Sequence, residues 1–393
     1  MATLVVYSHK LCWRDPASPS GYSTDGAFPM QMRAISELFD STVLVVPCET
    51  RASVAGLSPI TGHRLSVVPL TRPAGAGLSR KLRIPAWLLG NLRPIARELR
   101  RADAVHAPIP GDIGTIGMLL AHGCRKRLFV RYCGNWLGPR TRAEHFWLWF
   151  MQRYAGGRNV MLATGGAVEP PSAENAEVRW IFSTSLTEAQ LAACRVERRA
   201  PQDGRLRLII AARQDPGKGT DLVIRALPEI ARSFPKVTFD VVGDGSGLSD
   251  LGELAKQLGV AERVRFHGRL DQLSVLARLK EADLFCFPTR SEGFPKAVLE
   301  ALACGLPVVT TPVSVLPLLI GTGCGKLVEP TPAGVAEGIL GCASVPATYE
   351  SLSAQAMRTA ADYSLERWRD TIGALLQASW KCELRAVEPE RGG

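Results

Sequence analysis

The stretch LFCFPTRSEGFPKAVLEALACGLPVVT, Leu284–Thr310, decides how the chain folds. Leu284–Phe287 is a short apolar run and reads as a buried strand. Pro288–Phe294 is rich in turn-forming residues, and Gly293 lets a ligand approach the backbone closely. Lys296–Cys304 reads as a helix, with Pro295 suited to its first turn. Pro307–Thr310 is apolar again and reads as a second strand. Strand, loop, helix and strand in this order form a βαβ unit, whose strands run parallel.

The same alternation extends in both directions. Apolar runs at Leu4–Ser8, Val43–Val46, Ala104–His106, Leu128–Tyr132, Asn159–Leu162 and Val178–Phe182 form a first series of strands. A second series falls at Leu206–Ala212, Val237–Val242, Val264–Phe266 and then the two strands already read. Helical periods at Asp221–Ser233, Leu248–Leu258 and Gln272–Lys280 lie between them. Apolar strands alternating with amphipathic helices predict an α/β fold with parallel sheets covered on both faces. The polar stretch VERRAPQDGR, Val196–Arg205, breaks the periodicity and predicts a domain boundary. Two Rossmann-like domains facing a central cleft follow: residues 1–200, residues 201–363, and a C-terminal helix within 364–393 that packs back towards the first domain before a charged tail. In such sheets ligands bind beyond the carboxyl ends of the strands.

The chain of 393 residues is long enough for about two cores. Its net charge of +10 is uneven: residues 1–199 hold 25 Lys/Arg against 14 Asp/Glu, and residues 200–393 hold 22 against 23. A basic first half implies an acidic partner such as an anionic membrane surface, a phosphorylated lipid or an anionic saccharide; compositional drift is the alternative. The ten cysteines contain no Cys-x-x-Cys pair, which argues against zinc and redox motifs and for small buried hydrophobes in a reducing compartment. MATLVVYSHK lacks the basic start and long apolar stretch of a signal peptide, and no apolar run approaches about 18 residues. Cytoplasmic residence is the resulting expectation, with peripheral attachment to the inner face of a membrane as its extension.

The joint between Phe287 and Lys296 aims free backbone N–H groups and a positive helix end at a ligand, which makes a ready anion site. Glu292 lies in the loop and Glu300 about one and a half turns into the helix. Carboxylates accept hydrogen bonds from vicinal hydroxyls, so a pair bracketing an anion site suits a ligand with a sugar on each side of a diphosphate: a nucleotide sugar. The alternative is an acidic surface loop with Glu300 solvated. Leu208–Thr220, LIIAARQDPGKGT, places Arg213 and Lys218 five residues apart at a strand end, where both reach one diphosphate. Cations near a helix start oppose its dipole, a penalty that an anionic ligand removes.

The run EGFPKAVLEALACGLPVV, Glu292–Val309, closely resembles the Glu-x7-Glu signature of retaining glycosyltransferases of the GT-B fold, family 4 (glycosyl transferases group 1). The resemblance covers most of residues 205–330 and is weak in the N-terminal half. It implies that Glu292 holds the donor sugar, that Glu300 holds the ribose, and that the backbone at Gly293, Phe294, Pro295, Lys296 and Ala297 faces the sugar or phosphates. It further implies that Arg213 and Lys218 bind the diphosphate and stabilise its departure. Val241–Gly247, VVGDGSG, matches a Gly-Asp-Gly turn of the family through Gly243, although a plain βα turn explains it equally; with Leu248 in place of a third glycine it is a poor dinucleotide fingerprint. Gly321–Lys326, GTGCGK, is one residue short of a P-loop and is set aside.

The N-terminal half departs from the family. STDGAF, Ser23–Phe28, has Gly26-Ala27 where relatives carry two glycines at the donor phosphates, and Asp25 reads as a helix cap. RYCGNW, Arg131–Trp136, contains no His where many relatives carry one. Tyr132, Asn135 and His106 are the acceptor-side candidates, with a structural role as the alternative for His106. Glu144–Tyr154, EHFWLWFMQRY, sets aromatics beside Arg140, Arg142, Arg153 and Arg158, and the helix at Ile84–Arg101 carries Trp87 close to Arg83, Arg93, Arg97, Arg100 and Arg101. Both suit a lipid headgroup interface, or else a core face backed by a solvated one.

The reading is transfer of a hexosyl group from a nucleoside diphosphate sugar to a hydroxyl of a saccharide or polyprenyl-lipid-linked acceptor, in cell-envelope or exopolysaccharide synthesis. No Asp-x-Asp triplet is present, so no metal and no further cofactor is expected. A non-hydrolysing nucleotide-sugar epimerase and a catalytically silent sugar-nucleotide-binding protein are the rivals; a nucleic-acid partner is not expected.

Overall fold

A computed structural model describes residues 2–52, 56–75, 77–136, 138 and 141–385. Arg140, counted above among the basic residues, lies outside the described residues. The chain forms two compact units: Met1–Thr164 with Glu169–Ile181 and Leu365–Gly393, and Gly165–Val168 with Phe182–Ser364.

In the first unit the order is β1 (Thr3–Tyr7), β2 (Cys12–Arg14), β3 (Tyr22–Thr24), α1 (Phe28–Ser36), β4 (Ser41–Ala52), β5 (Ser58–Pro59), β6 (Leu65–Leu70), α2 (Gly77–Arg101), β7 (Ala104–Ile109), α3 (Asp112–Gly123), β8 (Arg127–Tyr132), α4 (Arg142–Tyr154), β9 (Asn159–Thr164) and β10 (Val178–Ile181). The parallel strands run β6-β4-β1-β7-β8-β9-β10, so the order reverses between β1 and β7. Every residue of β7 and β9 is buried, as strands covered on both faces require. The short strands β2, β3 and β5, which no apolar run announces, extend the far side of β4, with β3 antiparallel to its neighbours.

The second unit comprises α5 (Glu188–Cys194), β11 (Arg205–Ala211), α6 (Thr220–Ser233), β12 (Lys236–Val242), α7 (Leu248–Gln257), β13 (Val264–Gly268), α8 (Gln272–Glu281), β14 (Leu284–Phe287), α9 (Lys296–Ala303), β15 (Val308–Thr310), α10 (Leu316–Ile320), β16 (Gly325–Leu327), α11 (Pro332–Ala343) and α12 (Pro346–Ala361). Its sheet is wholly parallel in the order β13-β12-β11-β14-β15-β16, the doubly wound arrangement, with its reversal between β11 and β14.

The boundary expected at Val196–Arg205 lies earlier, at Phe182. Polarity marked a surface segment there rather than a linker. Leu191 and Cys194 of α5 belong to the second core, and the Arg198 guanidinium donates to the carbonyls of Cys304, at 2.7 Å, and Leu279, at 2.9 Å. These bonds fix the segment to the second unit.

The last helix, α13 (Leu365–Trp380), is part of the first unit and packs against α1 and β9. Trp368 is fully buried, with the Arg131 guanidinium 5.0 Å from its ring. Arg369 pairs with Glu37, and Trp380 donates to the Arg158 carbonyl at 3.0 Å. Arg131 is itself 4% exposed and donates to the Gln31 side chain at 2.9 Å, and the indole face adds to the compensation of its buried charge. Trp368→Ala removes that face and opens a cavity. A loss of about 3–5 kcal/mol is expected in the urea midpoint followed by far-UV circular dichroism; a shift under about 1 kcal/mol contradicts the anchoring role.

Candidate active site

The reversal between β11 and β14 brings two loops together in the second unit. Ala212–Gly219 follows β11, and Pro288–Pro295 follows β14. The Arg290 amide donates to the Gly217 carbonyl at 2.8 Å. Gly219, at φ 85°, begins α6 where a β-carbon would lie 2.2 Å from the Pro288 carbonyl oxygen. A third loop, after β12, joins them. The Gln214 amide donates to Asp244 at 3.0 Å, and the Gly247 amide donates to Gln214 at 2.8 Å. Gln214 is the buried hub of this junction: its side-chain amide donates to the carbonyls of Ala212 and Val242, and Thr220 donates to its oxygen at 2.6 Å. The sequence reading passed over Gln214, because a single Gln in a loop carries no pattern.

This framework sets the candidate residues of the second unit. Lys218 and Glu292, read from separate motifs, meet as an ion pair at 2.7 Å, each side chain about one-fifth exposed at 20%. Lys218 also approaches the Ser291 carbonyl at 3.5 Å, and its ammonium lies 5.8 Å from the Phe287 ring centre. The second oxygen of Glu292 accepts from the Gly293 amide at 3.2 Å. Ser314 donates to the Gly293 carbonyl at 2.7 Å, which fixes the loop behind it. Arg213 is exposed and pairs with Asp215 at 3.3 Å.

Pro295 is the N-cap of α9, and no side chain caps that helix. Lys296 and Ala297 form its half-buried first turn, and Phe294 rests near Phe182 and Tyr363. Glu300 is half-buried rather than solvated, and Gln272 of α8 donates to it at 3.3 Å. Burial raises its pKa above the usual carboxylate range, against the opposing pull of the Gln272 bond and the Lys296 charge. Gly243 sits at φ 119° with its α-carbon against the Ala212 carbonyl; a β-carbon there would lie 1.8 Å from that oxygen. Loop packing alone therefore requires a glycine at this position. A cavity of about 470 Å³ lies beside the junction, towards α6 and α7, and is lined by Asp221, Arg225, Asp250, Glu253 and Arg290. Its lining includes neither Glu292 nor Glu300.

The first unit corrects several expectations. His106 is fully buried in β7, stacked on Phe129 with ring centres 4.1 Å apart, and its Nδ1 bonds the Phe129 carbonyl at 3.0 Å. Burial, with Arg131 nearby, lowers its pKa to about 3. Tyr132 is equally buried, with burial raising its phenol to about 12. Neither side chain presents a polar atom to an acceptor in this structure, because both point from a central strand into packed layers. Asn135 is half-buried in the loop after β8 and keeps its place as a candidate. Gly26 is exposed, at φ 71°, which explains the glycine. Asp25 does not cap α1; the cap position is Ala27, and Asp25 pairs with Lys10 instead.

Comparisons with known proteins bear on the fold and the family. Residues 196–358 match the family model described as glycosyl transferases group 1. The chain is 39% identical over 109 residues to a GDP-mannose-dependent alpha-(1-6)-phosphatidylinositol monomannoside mannosyltransferase of Mycolicibacterium smegmatis, covering 26% of this chain and 28% of that one. It is 34% identical over 186 residues to a D-inositol 3-phosphate glycosyltransferase of Segniliparus rotundus, covering 46% and 41%. The chain thus spans less than half the length of these curated relatives. The solved structure of Anabaena Alr3699/HepE in complex with UDP and glucose matches 96% of this chain and 100% of that one, with TM-score 0.67 at 17% identity. WaaG, a glycosyltransferase involved in lipopolysaccharide biosynthesis, matches with TM-score 0.60 at 14% identity, over 95% of this chain and 98% of that one. At such identities the likeness speaks for the fold, and that fold is GT-B. The match to the glycosyl transferases group 1 model covers Val196–Arg358, which makes up most of the second unit.

Proposed function

We propose that this protein is a retaining glycosyltransferase, moving a hexosyl group from a nucleoside diphosphate sugar to a hydroxyl of a saccharide or lipid-linked acceptor. The observation that carries the reading is the Lys218–Glu292 pair at the reversal of a doubly wound sheet, beside the uncapped start of α9. UDP and glucose in the Anabaena structure, and the phosphatidylinositol acceptors named in the relatives, support the substrate classes.

The Lys218 ammonium has three N–H groups, and Glu292 and the Ser291 carbonyl engage two of them. The third is left for a donor phosphate. As Lys218 shifts towards that phosphate, Glu292 is released to accept hydroxyls of the donor sugar. When the bond from the anomeric carbon to the diphosphate oxygen breaks, the electron pair leaves with the diphosphate. Lys218, Arg213 and the N-terminal turn of α9 stabilise that charge, and each preorganised contact contributes roughly 2.7–4 kcal/mol in the transition state. The two cations do the work that a divalent metal does elsewhere, and no metal is required. Glu300, half-buried and held by Gln272, suits the ribose hydroxyls. A non-hydrolysing epimerase would instead convert the donor sugar with no acceptor present.

The first unit supports a membrane-bound acceptor. Leu82, Leu89 and Leu92, at spacings that share one face of α2, are 81%, 74% and 46% exposed. Asn91, Ile95 and Leu99 of the same helix are buried. Around this apolar ridge α2 carries Arg80, Lys81, Arg83, Arg93, Arg97, Arg100 and Arg101 against the single acid Glu98. On α4, Phe146 and Trp149 are also exposed, at 37% and 52%. A cationic helix with an outward apolar ridge suits the surface of an anionic bilayer.

Given a panel of nucleotide sugars and a lipid extract, the protein is expected to transfer one sugar in the presence of EDTA. Lys218→Ala and Glu292→Ala should each lower kcat by about 10²–10³-fold. Full turnover in both variants, or sugar conversion without acceptor, sinks the assignment. For Glu300 the raised pKa means that its protonated form favours the fold, and that this contribution fades as pH rises through the raised value. Glu300→Gln should therefore be at least as heat-stable as the parent at pH 7 while losing nucleotide affinity; a lower Tm with unchanged affinity contradicts both roles. The double variant Leu82→Glu/Leu89→Glu should stop floating with phosphatidylglycerol vesicles while binding nucleotide normally. Undiminished flotation removes α2 from the membrane reading.

A further inference from the structure

The first unit has its own reversal of strand order, between β1 and β7, and the residues just past those two strands form its ligand-side edge. His106 and Tyr132 are both buried. His9, two residues beyond β1, lies on that edge and is exposed. Its ring covers Gly111, the residue at the start of α3 just past β7: a β-carbon on Gly111 would lie 2.1 Å from the His9 Nδ1. Gly111, at φ 151°, thus supplies both the backbone turn and the space that the imidazole occupies.

The charges around this ring come from three elements. Arg80 of α2 pairs with Asp112 of α3 at 2.7 Å, and Lys10 pairs with Asp25 in the loop that bears His9. Partial burial, Arg80 and Lys10 lower the imidazole pKa, and Asp112 opposes them. The start of α3, with no side-chain cap, adds positive potential at the same place. The imidazole is therefore held neutral, with one nitrogen a donor and the other an acceptor, the form that exchanges hydrogen bonds with an alcohol.

We infer that His9 contacts the acceptor hydroxyl, with Gly111 seating its ring and the Arg80–Asp112 pair setting its surroundings. This rests on the transferase reading above and deepens it on the acceptor side. Once the diphosphate has left with the electron pair of the broken bond, the acceptor oxygen forms the new bond to the anomeric carbon. Its proton passes to the departing diphosphate, so the neutral imidazole orients the hydroxyl and need not keep the proton.

The test uses the full chain and the donor and acceptor that the transfer screen identifies. His9→Ala is expected to raise the acceptor KM by about tenfold or more, with the Kd for the nucleoside diphosphate unchanged. In the parent, kcat/KM for acceptor should fall on the acid side only below the ordinary imidazole range. Arg80→Gln, which removes a cation from beside His9 and leaves Asp112, should move that acid limb to higher pH. An unchanged acceptor KM in His9→Ala, or an acid limb that stays in place in Arg80→Gln, overturns the inference while transfer by the parent leaves the donor-side reading standing. Absence of transfer by the parent overturns both. Should His9→Ala fail to fold, His9→Gln keeps a neutral hydrogen-bonding group, and the Arg80→Gln pH profile decides alone.

Discussion

Three loops converge at the ligand-side edge of the second unit, and they do so only because side chains are missing where backbones cross. A β-carbon at Gly243 would strike the Ala212 carbonyl, one at Gly219 the Pro288 carbonyl, and one at Gly245 would come within 2.6 Å of the Gln214 backbone. Both Gly243 and Gly219 also hold positive φ, so no other residue satisfies the conformation and the space together. With the backbones in contact, Gln214 closes the junction by bonding the carbonyls of Ala212 and Val242 and receiving Thr220. Such a network is stabilising because every member is satisfied. Lys218 leaves this junction one residue before Gly219, so its reach to Glu292 follows from how closely the loops meet.

The ion pair has a second consequence. A half-buried lone ammonium would carry a desolvation cost with nothing to offset it, and a half-buried lone carboxylate likewise. Paired, the two groups wait in place without a ligand. They can be separated by one that offers a phosphate to the cation and hydroxyls to the anion. The two glutamates of the signature therefore differ in more than position. Glu292 is an ionised group held by a cation and a backbone amide, and Glu300 is a desolvated group on a helix, held by an amide side chain. The first answers to charge at the ligand, and the second to hydroxyls.

How far the sequence revealed this depends on how local each cause is. The strands around Leu284–Phe287 and Leu206–Ala212 were legible because a fully buried parallel strand must be continuously apolar, and α9 because its turn, proline and periodicity agree. Arg213, Lys218, Glu292 and Glu300 stand out in the sequence because their spacing resembles a known signature, and the structure brings Lys218 and Glu292 of that set together. The strands β2, β3 and β5 were not: they run two or three residues each and pair across distant parts of the chain. The boundary was misplaced because polarity marks solvent exposure, and an exposed segment can still be fixed by a guanidinium bonding to distant carbonyls. Gln214 was missed because its partners come from three elements.

The acceptor side shows the same limit more sharply. A histidine next to a strand end in sequence is as often inward as outward, since side chains alternate along a strand and a central strand is covered on both faces. His106 falls on the inward side: Phe129 stacks on it, and Arg131, two residues along β8 on the same face, helps to keep it neutral. That neutrality serves packing, since a protonated imidazole there would place a second charge beside a guanidinium already buried against Trp368. His9 is neutral as well, also with an arginine nearby, yet it lies past the end of its strand, where the ring meets solvent on one side and the start of α3 on the other. The two histidines have similar electrostatics and opposite access. Access follows from strand length and from the glycine opposite, and it is access that separates a residue able to meet a substrate from one that completes a core.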